Sequence, residues 1–367
     1  MTARAPNQTC PSIKGRGTAQ NITGRFAATC SEAIDDGWFL QEPVAPHPST
    51  EWLKESAKSI ITRNNSPDIG FSQSINPYRG CEHGCVYCYA RPCHAYVDLS
   101  PGLDFETRIF YKANAVELLE KELQKKNYRC SPIALGTNTD PYQPVERKQR
   151  ITRQLLELLE QYRHPVTIVT KSALVLRDKD ILERMAQHRL CAVFISVTTL
   201  DNHLKNIMEP RAAGPQARLR TIREFAEAKI PTGIMAAPVI PAINDAELEA
   251  ILAAGAEAGA QTAGKILIRL PHEVKPLFYD WLKTHFPERA AHVINLIRQC
   301  RGGRDYQNEF GKRMTGEGVF AELLQRRFEV ACRRFGLAGG EALSLDCSLD
   351  CSLFSPRSSV AGQMALF

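Results

Sequence analysis

The segment Ile75-Asn-Pro-Tyr-Arg-Gly-Cys-Glu-His-Gly-Cys-Val-Tyr-Cys-Tyr-Ala90 carries three cysteines in the spacing C-x3-C-x2-C. These cysteines are Cys81, Cys85 and Cys88, and they directly follow the strand candidate Phe71–Ile75. The pattern predicts a tight loop at the end of a strand that turns three thiolates toward one point.

Gly80 and Gly84 permit such a loop, because glycine reaches backbone conformations that other residues avoid. Soft thiolates suit an iron–sulfur cluster, and a [4Fe–4S] cube has four irons to satisfy. Three cysteines leave one iron open to chelate the amino and carboxylate groups of S-adenosylmethionine (SAM). An electron from the cluster then breaks the sulfonium C–S bond, and the resulting 5′-deoxyadenosyl radical abstracts hydrogen from a substrate.

Two non-catalytic interpretations of the cysteines stay open. Structural zinc normally takes four Cys or His ligands; His83 or Cys93 would supply a fourth, but no second C-x2-C pair accompanies the loop. An electron-transfer cluster with Cys93 as its fourth ligand would have a spacing that matches neither common ferredoxin pattern. Either site would belong to a protein that binds nucleic acid through basic helices.

Short β-branched runs alternate with amphipathic stretches from about residue 59, which is typical of βα units around a parallel sheet. Six such units predict an α/β fold, a partial (β/α)6 TIM-type barrel with a mostly helical C-terminal extension. The predicted strands are Phe71–Ile75, Ile133–Gly136, Val166–Lys171, Ala192–Thr198, Thr232–Pro238 and Lys265–Leu270. The predicted parts are an irregular N-terminal arm (1–58), the α/β core (59–275), the helical extension (276–335) and a flexible tail (336–367).

The composition is that of a globular protein, with 44% hydrophobic and 23% charged residues in 367. Neither a secretory signal nor an apolar run of membrane-spanning length is evident, so we expect a cytoplasmic protein with no membrane partner. Twelve cysteines in such a chain indicate reduced thiols and metal rather than disulfides. Residues 288–335 hold ten Arg or Lys against six Asp or Glu, a basic face of the kind that can bind nucleic acid.

The cysteine loop, with Tyr87 just before its third cysteine, resembles that of the radical SAM superfamily. Over residues 75–241 the chain is similar to the branch that contains spore photoproduct lyase and DNA repair photolyase-like proteins, and residues 100–106 and 269–276 are similar to a bacterial subgroup of it. The motifs that carry this resemblance are Gly136-Thr-Asn-Thr-Asp140, Val169-Thr-Lys171, Phe194-Ile-Ser196, Glu209-Pro-Arg211 and Ala237-Pro-Val239.

Polar residues follow the second predicted strand, at the end where parallel barrels carry their chemistry. Thr137, Asn138, Thr139 and Asp140 offer hydroxyl, amide and carboxylate partners for the ammonium group of SAM. A polar turn ended by Pro141 is the alternative for each of them.

The resemblance implies further SAM contacts. Lys171 would bind the SAM carboxylate, and Ser196 the ribose or the carboxylate. Tyr87 would pack on the adenine, with its backbone reading the base edge. Glu209 and Arg211 would either contact the ligand or form a pair that orders the loop after the fourth strand.

One departure from the lyase concerns its hydrogen-donating cysteine, near the end of its second strand. Gly136 and Thr137 occupy that place in this chain, and Cys130 lies too early to replace it. We therefore expect the same activation of SAM, with an external electron donor, but a different or differently quenched substrate radical. The resemblance implies DNA repair; modification of RNA, of a protein side chain or of a metabolite is the rival within enzymes.

The sequence ends in Gln363-Met-Ala-Leu-Phe367, which resembles the short peptide that docks bacterial DNA repair proteins on the sliding clamp. Gln363 would form hydrogen bonds and Leu366-Phe367 would fill an apolar pocket. The alternative is an apolar chain end that packs on the protein's own core.

Overall fold

The computed structural model describes residues 13–27, 49–339 and 349–356. The clamp-like segment Gln363–Phe367 lies outside these ranges. The strands are Glu51–Glu55 (β1), Ile61–Arg63 (β2), Gln73–Ile75 (β3), Tyr78–Arg79 (β4), Arg108–Lys112 (β5), Ile133–Leu135 (β6), Val166–Thr170 (β7), Cys191–Ser196 (β8), Thr232–Val239 (β9), Thr262–Leu267 (β10) and Ala338–Gly339 (β11).

The helices cover the sheet and build the C-terminal extension. Short 3-10 helices occur at Arg91–Val97, Ala173–Asp178 and Asp245–Glu247. The α-helices are Asp104–Thr107 (α1), Ala115–Leu123 (α2), Glu146–Gln149 (α3), Ile151–Gln161 (α4), Lys179–Ala186 (α5), Asn202–Met208 (α6), Pro215–Glu227 (α7), Leu248–Glu257 (α8), Val274–His285 (α9), Ala290–Gln299 (α10) and Val319–Phe335 (α11). None of these helices has the length and apolar content that a bilayer crossing requires.

The main sheet has eight strands in the order β11-β10-β9-β8-β7-β6-β3-β2. Every neighbouring pair is parallel except β2 and β3. Six of the strands, β3 and β6 to β10, are the predicted ones, and no pairing closes the described sheet into a complete barrel. The predicted partial TIM-type barrel with a helical C-terminal region is confirmed.

A bidentate ion pair links the loop before β3 to the segment between α10 and α11. Asp68, in the loop before β3, accepts hydrogen bonds of 2.6 and 2.7 Å from the guanidinium of Arg313. The carbonyl next along the chain, that of Met314, accepts a hydrogen bond from Leu267 at the end of β10. The segment around Arg313 and Met314 therefore connects the loop before β3 with the end of β10, without strand pairing between β3 and β10.

Two of the predicted parts contain more structure than we expected. The arm that was predicted to be irregular as far as residue 58 includes β1, which forms a second, three-stranded sheet with β5 and β4. In the predicted flexible tail, residues 349–356 pack near the N-terminal ends of the parallel strands, where the Phe354 ring contacts Tyr128 and His164. Both stretches are short and partly exposed, so they lack the long apolar pattern that sequence reasoning detects.

Helix α8 packs unusually close to β9. A β-carbon on Gly255 would lie 2.5 Å from Cδ1 and 3.0 Å from Cβ of Ile234, whose side chain is fully buried. Alanine would gain about 1 kcal/mol of helix propensity over glycine. Overpacking against a side chain that cannot move aside costs about 1–3 kcal/mol, which outweighs the gain in helix propensity.

We therefore expect Gly255→Ala to lower the free energy of unfolding, by up to about 2 kcal/mol in urea denaturation. Adding Ile234→Val removes the nearest methyl group, so the double variant should lose less than the sum of the two single losses. Strict additivity would contradict this account of the contact.

Candidate active site

The carboxyl ends of the parallel strands surround a cavity of about 360 Å³. Its walls come from the cysteine loop (residues 80–90) after β3–β4 and from segments at or beyond the ends of β6 to β10. Ten of the twelve predicted site residues line it: Cys81, Cys85, Tyr87, Cys88, Thr137, Asn138, Thr139, Asp140, Lys171 and Ser196. The other two, Glu209 and Arg211, are not among the lining residues.

Two glycines shape the cysteine loop as predicted. Gly80 has φ 79° and Gly84 has φ 67°, in the left-handed region that favours glycine. A β-carbon on Gly84 would also lie 2.6 Å from the carboxylate of Glu106. The loop therefore requires glycine at position 84 for both conformation and space.

The three cysteine thiols face this cavity from buried or half-buried positions. Burial raises the pKa of all three thiols, and for Cys81 the nearby Asp140 carboxylate raises the pKa further. In the described part of the chain, no three His, Cys, Asp or Glu side chains come together as ligands of a single metal ion. The three thiols therefore line one cavity together without forming a site for a single metal ion.

This donor set fits a [4Fe–4S] cluster with one open iron. Each cysteine of such a cluster binds its own iron, and the positive irons compensate the charge of buried thiolates. Cys93, the alternative fourth ligand, is not among the residues that line the cavity. His83, the other alternative, lines the cavity, but its Nδ1 lies 3.3 Å from the Asp140 carboxylate.

A buried ion pair holds the cysteine loop from behind. The guanidinium of Arg91 lies 2.5 Å from the carboxylate of Glu106, and both side chains are fully buried. Arg91 also donates to the carbonyl oxygens of Cys85 at 3.0 Å and Gly84 at 3.3 Å. Glu106 accepts hydrogen bonds of 2.9 and 3.1 Å from the backbone of residues 17–18, so part of the N-terminal arm is fastened to the same pair.

Asp140 joins the loops that follow β6 and β7. Its carboxylate accepts hydrogen bonds from the hydroxyl of Thr170 at 2.7 Å and from the backbone N–H of Lys171 at 2.9 Å. Burial acts to raise the pKa of Asp140, but His83 and these hydrogen bonds lower it to about 2. The carboxylate is therefore ionised at neutral pH and fixed in the cavity wall.

The other three residues of the loop after β6 are also anchored. The Thr139 hydroxyl donates to the carbonyl of Gly80 at 2.7 Å and so supports the cysteine loop. Asn76 accepts a hydrogen bond of 2.9 Å from the N–H of Asn138 and donates to the hydroxyl of Thr137 at 3.3 Å. These contacts suit both a ligand wall and a structural turn, so the role of these residues toward SAM stays a prediction.

Lys171 places a fixed positive charge in the wall. Its Nζ donates to the hydroxyl of Ser196 at 2.6 Å and to the carbonyl of Ala237 at 3.1 Å. The carboxylate of Glu209 lies 3.9 Å away. An ammonium held in this way at a buried wall suits a carboxylate ligand.

The predicted pair of Glu209 and Arg211 is wrong. Glu209 is fully buried, accepts a hydrogen bond from the Tyr87 hydroxyl and forms an ion pair with Arg218. Burial acts to raise the pKa of Glu209, but Arg218 lowers it to about 2. Arg211 turns toward solvent instead and contacts Glu82 at 3.2 Å, because the chain reverses between the two positions and α7 brings Arg218 to the buried side.

Sequence reasoning assigned no role to Arg269, which lines the cavity. Its guanidinium lies 5.1 Å from the centroid of the Tyr89 ring, which lines the cavity as well. Its position in the sequence could have indicated a site residue, because Arg269 follows β10 closely, just as Thr137 follows β6. Tyr89 donates a hydrogen bond to the carbonyl of Thr137, so residues that follow β3, β6 and β10 meet here.

A model of the radical SAM superfamily matches residues 75–254. The uncharacterized protein Rv2578c of Mycobacterium tuberculosis is 34% identical over 237 residues, which cover 64% of this chain and 70% of that protein. The uncharacterized protein MJ0683 of Methanocaldococcus jannaschii is 28% identical over 197 residues, covering 54% of this chain and 71% of that protein.

Among solved structures, spore photoproduct lyase complexed with dinucleoside spore photoproduct aligns with a TM-score of 0.56 and 16% identity. The alignment covers 78% of this chain and 81% of the lyase. A double mutant of the lyase with bound AdoMet and the same dinucleoside aligns equally well. At this identity the likeness shows a shared fold.

The buried pair behind the cysteine loop gives a stability prediction. Glu106→Ala should lower the free energy of unfolding by about 3–5 kcal/mol, because it leaves the Arg91 guanidinium buried without its counterion. Urea denaturation followed by circular dichroism measures the loss. The control is Glu117→Ala, which removes an exposed partner of Lys121 and should barely move the midpoint; similar losses in both variants would contradict the prediction.

Proposed function

Because the chain belongs to the radical SAM superfamily, we propose that it is a SAM-dependent radical enzyme that acts on nucleic acid, in the manner of DNA lesion repair. Members of this superfamily bind a [4Fe–4S] cluster and SAM. The observation that carries the proposal is that three thiols and a fixed ammonium, that of Lys171, line one cavity at the carboxyl ends of the parallel strands.

In this proposal Cys81, Cys85 and Cys88 hold three irons of the cluster, and an external donor supplies the electron. When bound, the cluster and SAM supply a 5′-deoxyadenosyl radical that takes a hydrogen atom from the substrate. The Lys171 ammonium binds the SAM carboxylate, with the Ser196 hydroxyl beside it. The loop 137–140 accepts the SAM ammonium and the buried Tyr87 ring packs near the adenine, while Glu209, with Arg218, positions Tyr87 from behind.

Two observations support nucleic acid as the substrate class. The lyase that shares this fold has been solved with a dinucleoside lesion in place. The chain has a net charge of +6, and residues 288–335 concentrate basic side chains on the helical extension, where Arg326, Arg333 and Arg334 are exposed. A basic surface of this kind attracts the phosphate backbone.

The fate of the substrate radical differs from that in the lyase with its donor cysteine. Gly136 and Thr137 line the cavity where the resemblance places that cysteine, and they contribute no sulfur. Cys130, which precedes β6, is not a lining residue. Apart from the three cysteines, the sulfur atoms of the described lining belong to Met235 and Met314. We propose that the hydrogen atom returned to the substrate comes from another source.

The cluster assignment predicts the behaviour of Cys85→Ala. Protein reconstituted anaerobically with iron and sulfide should lose its brown colour and its reductive cleavage of SAM to 5′-deoxyadenosine, because one iron loses its ligand. Visible absorption and chromatography of the products measure the two effects.

The matched control is Cys191→Ala. This cysteine is also buried, but its thiol contacts the carbonyl of Leu182, and Cys191 is not among the residues that line the cavity. It should retain colour and cleavage. Cleavage that survives in Cys85→Ala, or zinc in place of iron in the wild-type protein, would refute the assignment.

The substrate class predicts affinity for DNA that falls steeply with salt, by close to one power of salt concentration for each phosphate contacted. Anaerobic incubation with SAM, a reductant and UV-damaged DNA should then change the lesion content, as mass spectrometry of the digested DNA would record. Active SAM cleavage with no salt-dependent binding and no altered nucleotide would exclude DNA while leaving the radical enzyme intact.

A further inference from the structure

The backbone at Arg269, just beyond the end of β10, is held by hydrogen bonds on two sides. The residue before it, Ile268, donates a backbone hydrogen bond of 3.0 Å to Val239 of β9. The carbonyl of Ile268 accepts a hydrogen bond of 2.7 Å from the guanidinium of Arg301, which is almost completely buried. The backbone that carries Arg269 is therefore fixed from two sides, so its side chain enters the cavity from a preorganised position.

The guanidinium of Arg269 has no carboxylate partner within the described residues. Its hydrogen bonds go to neutral acceptors, the hydroxyl of Tyr306 at 3.3 Å and the sulfur of Met314 at 3.5 Å. Its Nε is buried without any hydrogen-bond partner. The other charges that line the cavity are compensated, since Asp140 contacts His83 and Lys171 lies near Glu209.

The surroundings make an unpaired cation costly. Phe71, Ile266 and Met314 contribute apolar surface to the same cavity. A charge beside apolar surface is stable only if an opposite charge and hydrogen bonds satisfy it. The neighbouring Arg301 adds positive charge, because its own guanidinium donates to backbone carbonyls and not to a carboxylate. No carboxylate of the described lining is therefore left to neutralise Arg269.

We propose that Arg269 binds a backbone phosphate of the nucleic-acid substrate, an inference that rests on the proposed function. A planar guanidinium can donate to two oxygens of one phosphate at once. The Tyr306 hydroxyl, 3.3 Å from the guanidinium, would be a further hydrogen-bond donor beside it. The nearby Tyr89 ring, which is 44% exposed, offers a flat face for the adjoining base.

The location of Arg269 favours the substrate over SAM as the source of the anion. Lys171 and Ser196, after β7 and at the end of β8, supply the contacts proposed for the SAM carboxylate. Arg269 lies beside Tyr89, the residue that follows Cys88, on the side where the sheet is open. A phosphate held there places its nucleotide next to the cysteine loop.

The test compares two ligands that differ in one charge: thymidylyl-thymidine and its uncharged methylphosphonate analogue. Calorimetry with the reconstituted protein and SAM should show that the wild type prefers the charged dinucleotide by at least about tenfold. Arg269→Gln should abolish this preference. Arg269→Lys keeps the positive charge but loses the bidentate geometry of the guanidinium, so it should retain part of the preference. Arg220→Gln removes an exposed arginine of α7 and should leave the preference unchanged.

Cluster content, SAM affinity and SAM cleavage without substrate are measured on the same samples. These three readouts test the proposed function, and the charge preference tests the phosphate site, so each can fail without the other. Equal binding of the two ligands by the wild type, or no binding of either, overturns the proposal. A preference that survives in Arg269→Gln while SAM affinity falls also overturns it, since Arg269 would then serve the SAM carboxylate.

Discussion

The geometry of the cysteine loop depends on one buried ion pair, that of Arg91 and Glu106. Three thiols that must stay apart cannot stabilise the loop by bonding to one another, so its shape has to be imposed from outside. The Arg91 guanidinium does this through the carbonyls of Cys85 and Gly84. Removing two charges from water is costly, and only such complete hydrogen bonding offsets that cost. The main effect of the pair is to fix the position of the cysteine loop, and its net contribution to stability is secondary.

The six central parallel strands could be predicted because they are apolar runs separated by helical periodicity. The strand boundaries were harder to predict. The last of these strands begins at Thr262 and not at Lys265, because Ala263 and Gly264 are weak strand formers that join the strand through pairing with β9. The strand Glu51–Glu55 escaped prediction since it is half exposed and joins a separate small sheet. Local pattern identifies a buried strand, whereas an edge strand is defined by its partner.

In the candidate site, too, some features could be predicted from local sequence and others depend on tertiary packing. Cysteines at a fixed spacing can be recognised in a sequence, and polar residues just after predicted strands can be placed by the topology of the sheet. Buried charged residues cannot be predicted in this way, because most Glu and Arg side chains are solvent-exposed and the partner of a buried one need not be near it in sequence. A pair of Glu209 with Arg211, two residues away, was one of two roles left open by the sequence, but tertiary packing gives Glu209 the partner Arg218. Arg91 and Arg269 went unassigned for the same reason.

The size of the cavity limits what a polymer can present to it. A cavity of about 360 Å³, which in the proposed function also holds the cluster and SAM, cannot admit a double helix. A nucleotide within duplex DNA would reach these walls only by rotating out of its stack, and unstacking costs a few kcal/mol, least where pairing is already damaged. An enzyme with this cavity would therefore bind damaged or distorted positions in DNA more readily than intact ones, before any chemical step.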